Sequence, residues 1–167
     1  MANMRNGFSV CRVDAGNSMR DFVTLVPAET FSSRGLVNEA IVGVLSRLLE
    51  DDEQITPDVF TRNHVFVEFM HEVIARHAPR DPSFHEEARR QGNGWIYIID
   101  QRTPDPAGTV PPEDIVGCFQ IANGKVIPES YQSNSKHLIF SAHGFFDLGS
   151  NLNGALLDEV LSCYSEG

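Results

Sequence analysis

Apolar and polar positions along the chain break into short runs that alternate between strand-like and helix-like spacing. Phe8-Ser9-Val10-Cys11-Arg12-Val13 alternates weakly, Asp14-Ala15-Gly16-Asn17-Ser18 reads as a turn, and Asp21 to Val26 reads as a second strand closed by Pro27. An N-terminal hairpin is expected. Leu36, Val37, Ala40, Ile41, Val44, Leu45, Leu48 and Leu49 then recur at three- and four-residue steps, which predicts a helix over Ser33 to Glu50. Thr56-Pro57-Asp58 has the residues of a helix start, and Val59, Phe66, Phe69, Met70 and Val73 continue one apolar side as far as Arg76 or His77. Asp81-Pro82-Ser83 opens a third, shorter helix that Gly92 can end.

The strand signals concentrate between Gly94 and Leu148. Trp95 to Ile99 is one apolar strand. Ile115 to Ala122 is another, and Asn123-Gly124 joins it to Lys125-Val126-Ile127. Asn-Gly between apolar runs predicts a two-residue type I′ hairpin, because both residues tolerate the positive φ that this turn requires. The register places Ile121 opposite Val126 and Phe119 opposite Pro128. His137 to Ser141 reads as a short strand, and Gly144 to Leu148 as an extension of the sheet after a bend. A last helix, capped by Ser150 or Asn151, carries Leu152, Leu156, Leu157, Val160, Leu161 and Tyr164. The pattern as a whole predicts an α+β fold: a mostly antiparallel sheet, made of the N-terminal hairpin and a C-terminal meander, packed with three to four helices. With 167 residues and no long linker, residues 1–167 are expected to form a single domain.

Charge changes this picture more than composition does. Thirteen basic against 23 acidic residues leave a net charge of −10. Such a field repels phosphate backbones and anionic lipid, so no nucleic-acid and no membrane partner is expected, whereas a basic protein would be attracted. Glu50-Asp51-Asp52-Glu53 concentrates the charge in one corner. No apolar run reaches the ~18 residues of a membrane span, and no apolar segment follows Met1 as a signal peptide would. Cys11, Cys118 and Cys163 are odd in number and widely spaced, which suits a reducing, cytoplasmic location.

Candidate chemistry is sparse. His64, Glu68 and His71 share a helix side, but the two imidazoles stand seven residues, about 10 Å of rise, apart. They read as part of a solvated helix side, and no metal and no cofactor is expected. Ser141, His143 and Asp100 have the side chains of a nucleophile, its base and an orienting acid. The chain lacks the Gly-x-Ser-x-Gly elbow, and a strand would simply put Ser141 and His143 on one face. Gly92-Asn93-Gly94 precedes a strand rather than a helix, so it is no phosphate cradle.

The four-proline loop Thr103 to Pro112 and the polar segment Tyr131 to Lys136 flank the Asn123-Gly124 hairpin. Asp100, Arg102, Tyr131, His137 and His143 are therefore the candidate binding residues at the rim of the C-terminal sheet. Two functions follow. The first is a small acidic interaction protein binding a basic protein partner, such as an inhibitor or the immunity-type partner of a bacterial toxin. The alternative is a small-molecule or metal-dependent enzyme using Asp100, Tyr131, His137 or His143 for acid–base work beside the sheet.

Overall fold

A computed structural model describes residues 8–102 and 109–165. The fold is α+β, with antiparallel sheets and, among the described residues, four α-helices. It divides into two compact units, one of residues 1–70 and 157–167, the other of residues 71–156. No helix of the described residues is long and apolar enough to cross a membrane.

The first unit is built on a four-stranded antiparallel sheet in sequence order: β1 (Ser9–Asp14), β2 (Met19–Thr24), β3 (Ile41–Leu45) and β4 (Phe60–Arg62). The N-terminal hairpin forms as the alternation predicts, with Cys11 opposite Phe22 and Arg12 opposite Asp21. The helix expected over Ser33 to Glu50 does not form. A short helix α1 (Ala28–Arg34) ends at Gly35, Asn38–Ala40 makes a single 3-10 turn, and Ile41–Leu45 is β3.

Burial on both faces explains the difference. As an inner strand between β2 and β4, β3 needs a nearly continuous apolar run, and Val42, Gly43 and Leu45 are all buried. Such a run carries no period that separates a strand from a buried helix turn. Three of its five residues are β-branched, which favours the strand. Gly43 lets Phe60 lie across the strand: a Cβ there would stand 2.4 Å from the Phe60 ring.

The start of the second helix also differs. Pro57–Val59 is one 3-10 turn leading into β4, and α2 spans His64–His77. Its cap is Asn63, whose side-chain oxygen accepts from Val65 N–H and whose carbonyl accepts from Val67 N–H. The Asn63 amide also donates to the Asn38 and Ile41 carbonyls, tying the helix start to the edge of β3.

In the second unit α3 (Pro82–Gln91) has the ends its sequence predicts. Asp81 accepts from Ser83 N–H, Pro82 takes the first helical position, and Gly92 adopts φ 82° after the last turn. The sheet that follows has β6 (Ile115–Ala122) at its centre. One edge of β6 pairs with β5 (Gly94–Ile99), the other with β7 (Lys125–Val126) and then β8 (Gln132–Ser133).

Asn123 and Gly124 take φ 54° and 76°, the type I′ signature, with Ile121 opposite Val126 as expected. Pairing of Phe119 with Pro128 does not occur. Pro128 lacks a donor, and Pro128–Ser130 turns out of the sheet as a 3-10 turn. The segment from His137 contributes only β9 (Phe140–Ser141). It pairs with β10 (Gly144–Phe145) in a separate two-stranded ribbon, so Gly144 to Leu148 does not extend the main sheet. Residues 103–108 of the proline-rich loop lie outside the described residues.

The last helix, α4 (Ser150–Ser165), buries Leu152, Leu156, Val160 and Tyr164 at strict four-residue steps. Leu157 and Leu161 are half-buried.

Candidate functional site

Three of the five candidate residues meet in one buried ionic cluster in the second unit. Asp100 follows the end of β5 and is 0% exposed. One of its carboxylate oxygens accepts from the backbone N–H of Arg102 (3.1 Å) and of Asp147 (3.0 Å). The other is 2.9 Å from His137 Nε2 and 3.5 Å from Arg102 Nε.

The Arg102 side chain is almost as buried. Its Nε donates to Asp114 Oδ1 at 2.9 Å. One terminal nitrogen donates to the Gly144 carbonyl (2.9 Å) and reaches the Ile139 carbonyl at 3.5 Å. The other terminal nitrogen serves the carbonyls of Glu113 (3.0 Å) and Leu138 (2.7 Å). The planar, five-donor guanidinium is the side chain that can satisfy several acceptors at once, whereas lysine is a compact point charge.

The location of the cluster follows from what surrounds it. Residues 134–149 contain only four strand residues, so few of their backbone groups are satisfied by a ladder. Arg102 supplies donors to three carbonyls of that stretch, and Asp100 accepts the Asp147 N–H. Gln101 N–H donates to the Asp147 carbonyl, and Asn134 bridges to the carbonyls of Pro112 and Ile115. The cluster therefore acts as an interior frame for an irregular segment. Its polar atoms are occupied by protein groups, which leaves Asp100 and Arg102 no exposed valence for a ligand.

Tyr131 and His143 stand elsewhere. The Tyr131 hydroxyl is 2.6 Å from His71 Nδ1, and its ring packs on Phe119 with centroids 4.9 Å apart. Burial, and secondarily the nearby Cys118, push the phenol well above its ordinary value, so the hydroxyl keeps its proton in the hydrogen bond it shares with His71. The pair occupies the space above Gly117, where a Cβ would come within 2.5 Å of the Tyr131 hydroxyl. His143 is exposed in the turn between β9 and β10, and its backbone N–H, not its ring, bonds Ser141 Oγ at 3.1 Å. Ser141, His143 and Asp100 are thus not assembled as a triad: Asp100 takes His137, and the Ser141–His143 contact is a turn bond.

His71 also leaves the expected solvated side, being half-buried against Tyr131. Among the described residues no group of three or more His, Cys, Asp or Glu side chains is close enough to hold a metal ion. No disulfide joins Cys11, Cys118 and Cys163, and burial raises the thiol values of Cys11 and Cys118. Asp114, through its carboxylate, and Asp147, through its backbone N–H and carbonyl, are members of the cluster that sequence reasoning missed. Their one signal is position, a carboxylate just before Ile115-Val116 and another just before Leu148-Gly149.

The acidic corner of the first unit has its own scaffold. Asp21 is 1% exposed on β2. It accepts two hydrogen bonds from Arg12 (2.8 and 3.0 Å) and one from Leu49 N–H (2.8 Å), while Arg12 also donates to the Leu49 carbonyl. Glu50 to Glu53 then closes a turn, with Glu53 N–H donating to the Glu50 carbonyl and Asp52 at φ 63°. Asp is among the few side chains that enter this left-handed region readily. Glu53 turns inward onto Arg47 and the Glu50 N–H, which lower its carboxyl to about 2. Glu50, Asp51 and Asp52 are exposed.

Asp21 gives this corner a pH dependence. Burial alone would raise its carboxyl, but the Arg12 hydrogen bonds, the Leu49 N–H and the Arg12 charge outweigh burial and hold it below its ordinary 3.8. A depressed folded value means stability that is complete above 3.8 and is lost as pH falls through the folded value. Acid unfolding followed by circular dichroism should therefore be less steep below that point in Asp21→Asn than in the wild type. Equal slopes would show that Asp21 is not the group responsible.

No protein-family model matches the chain, and no curated protein and no solved structure matches it. The class that the fold defines is α+β with separate antiparallel sheets in two compact units.

Proposed function

We propose that this chain is an acidic interaction protein that binds a basic protein partner through the Glu50–Glu53 turn, acting in the cytoplasm as an inhibitor or immunity-type protein. The observation that carries this reading is the way the turn is held. Arg12 and Asp21 clamp its base, Glu53 is neutralised by Arg47, and the exposed carboxylates of Glu50, Asp51 and Asp52 make no hydrogen bond to another described residue. A preorganised group of like charges costs little further ordering on binding. The charge distribution supports it too. The first unit holds thirteen acidic and six basic residues, the second ten and seven. The same field disfavours nucleic acid.

Affinity capture from the native host at low salt should retain basic proteins that high salt releases. The variant carrying Glu50→Gln, Asp51→Asn and Asp52→Asn keeps side-chain size and the left-handed turn. It should bind any captured partner with an association rate lower by about tenfold and a flatter salt dependence. Capture of no basic protein, or unchanged capture by the triple variant, would remove the reading.

A further inference from the structure

One edge of β5 has no partner strand among the described residues, where the strand pairs only with β6. The direction of its backbone groups follows from β6. Gln120 N–H donates to Ser130 Oγ, the Gln120 carbonyl accepts from Ile127 N–H, and the Val116 carbonyl accepts from Asn134 N–H. Even-numbered residues of β6 therefore direct their backbone groups away from β5. Trp95 and Tyr97 lie opposite Gln120 and Cys118, so they are the non-hydrogen-bonded positions of that pair and direct their own N–H and C=O groups to the outer edge.

Neither residue's backbone has a partner there among the described residues. Their side chains are also the exposed aromatics of this sheet, 39% and 53% accessible. The edge closes only further on, where Gln101 N–H meets the Asp147 carbonyl at 2.8 Å.

Gly94–Ile99 carries no charge and no proline, and it bulges only at its last step, so its own sequence does not blunt the edge. The geometry points to a second copy of this chain as the occupant, adding its own β5 antiparallel across this edge to make one continuous sheet. Self-pairing suits the edge for three reasons. A two-fold axis normal to the sheet keeps each face with its like, so the axis must pass through a residue position rather than between two. The open stretch Gly94 to Ile98 is centred on Ile96, which fixes that position.

In that register Trp95 lies opposite Tyr97 of the second copy, and the reverse. The outward-facing residues then form two hydrogen-bonded pairs, and the exposed aromatics stack across the junction. Lastly, the chain's net charge of −10 repels a copy at most surfaces, while this strand is uncharged. An acidic or basic foreign segment finds no counter-charge on it.

A pairing of this length is at the low end of interface size, so a reversible dimer with a dissociation constant of about 10–100 μM is expected. Sedimentation velocity over a concentration series should show the 18.5 kDa species giving way to one of twice the mass. Tyr97→Pro removes an N–H that the internal ladder does not use, and should weaken dimerisation at least about tenfold. Because proline could also unfold the strand, Trp95→Lys provides a second test: it leaves the backbone intact and should weaken the dimer to a similar extent, with an unchanged circular dichroism spectrum. A wild type that stays monomeric to about 0.5 mM, well above that affinity range, would overturn the proposal and leave the edge to a partner's extended segment. A dimer that both folded variants form as well as the wild type would overturn it equally.

Discussion

Replacing Arg102 with alanine is expected to lower the free energy of unfolding by about 3–5 kcal/mol, because it removes the cation that faces the buried Asp100 and Asp114 carboxylates and takes its donors from the Gly144, Glu113 and Leu138 carbonyls. Asp114 and Asp100 are 1% and 0% exposed, so water cannot replace the guanidinium without opening the structure. Arg102→Lys keeps the charge but cannot serve Asp114, Gly144, Glu113 and Leu138 together, and should recover only part of the loss. Urea unfolding followed by Trp95 fluorescence reports on the same unit. A loss below about 1 kcal/mol for Arg102→Ala, in the range of an exposed ion pair, would mean that the cluster contributes specificity of shape and little stability. His137 tests the periphery of the same frame: it touches Asp100 alone among the cluster's charges, so its replacement should cost less.

The second large effect is expected at Gly43. An alanine Cβ there would stand 2.4 Å from the Phe60 ring and 2.5 Å from the Thr61 carbonyl oxygen. The ring can rotate away, but the carbonyl belongs to the neighbouring strand β4, so the strands must separate or shift. Gly43→Ala should therefore destabilise by about 2–4 kcal/mol, at the upper end of overpacking, which for a chain of this size lowers Tm by very roughly 5–12 °C. Adding Phe60→Leu relieves the ring contact and not the backbone one, and should restore less than half of the loss in a thermal melt. Full restoration would show that the aromatic ring, and not the closeness of the two strands, is what requires glycine.

Gly43 also shows where sequence reasoning stops. Elements defined by local chemistry are legible: Asn123-Gly124 specifies its own turn, Asp81-Pro82 and Gly92 delimit α3, and the apolar steps of α4 need no neighbour to be recognised. Ile41–Leu45 is not, because its apolar run is set by the strands on either side of it, whose paired residues are 15 or more positions away in sequence. Thr56-Pro57-Asp58 has a sound helix start, yet three residues of β4 pairing with β3 displace the helix to Asn63. A similar limit applies to the candidate residues. Their order in the sequence puts Asp100, Arg102 and His137 near one sheet rim as polar groups, and they do meet. What composition does not reveal is the direction they face: a polar side chain in an irregular segment can serve a ligand or satisfy the chain's own backbone, and here it is the backbone.

The separations spanned by Arg102 also bear on the order of folding. The Asn123-Gly124 hairpin closes a loop of two residues, a microsecond event with a small entropic cost. Arg102 instead joins positions 36 and 42 residues downstream, Leu138 and Gly144, which cannot be gathered until β5 and β6 already hold the intervening chain. Its bonds should thus form after the rate-limiting step. Arg102 then sets how slowly the second unit comes apart and has little influence on how fast it assembles, so the stability lost in Arg102→Ala should appear almost entirely as a faster unfolding rate.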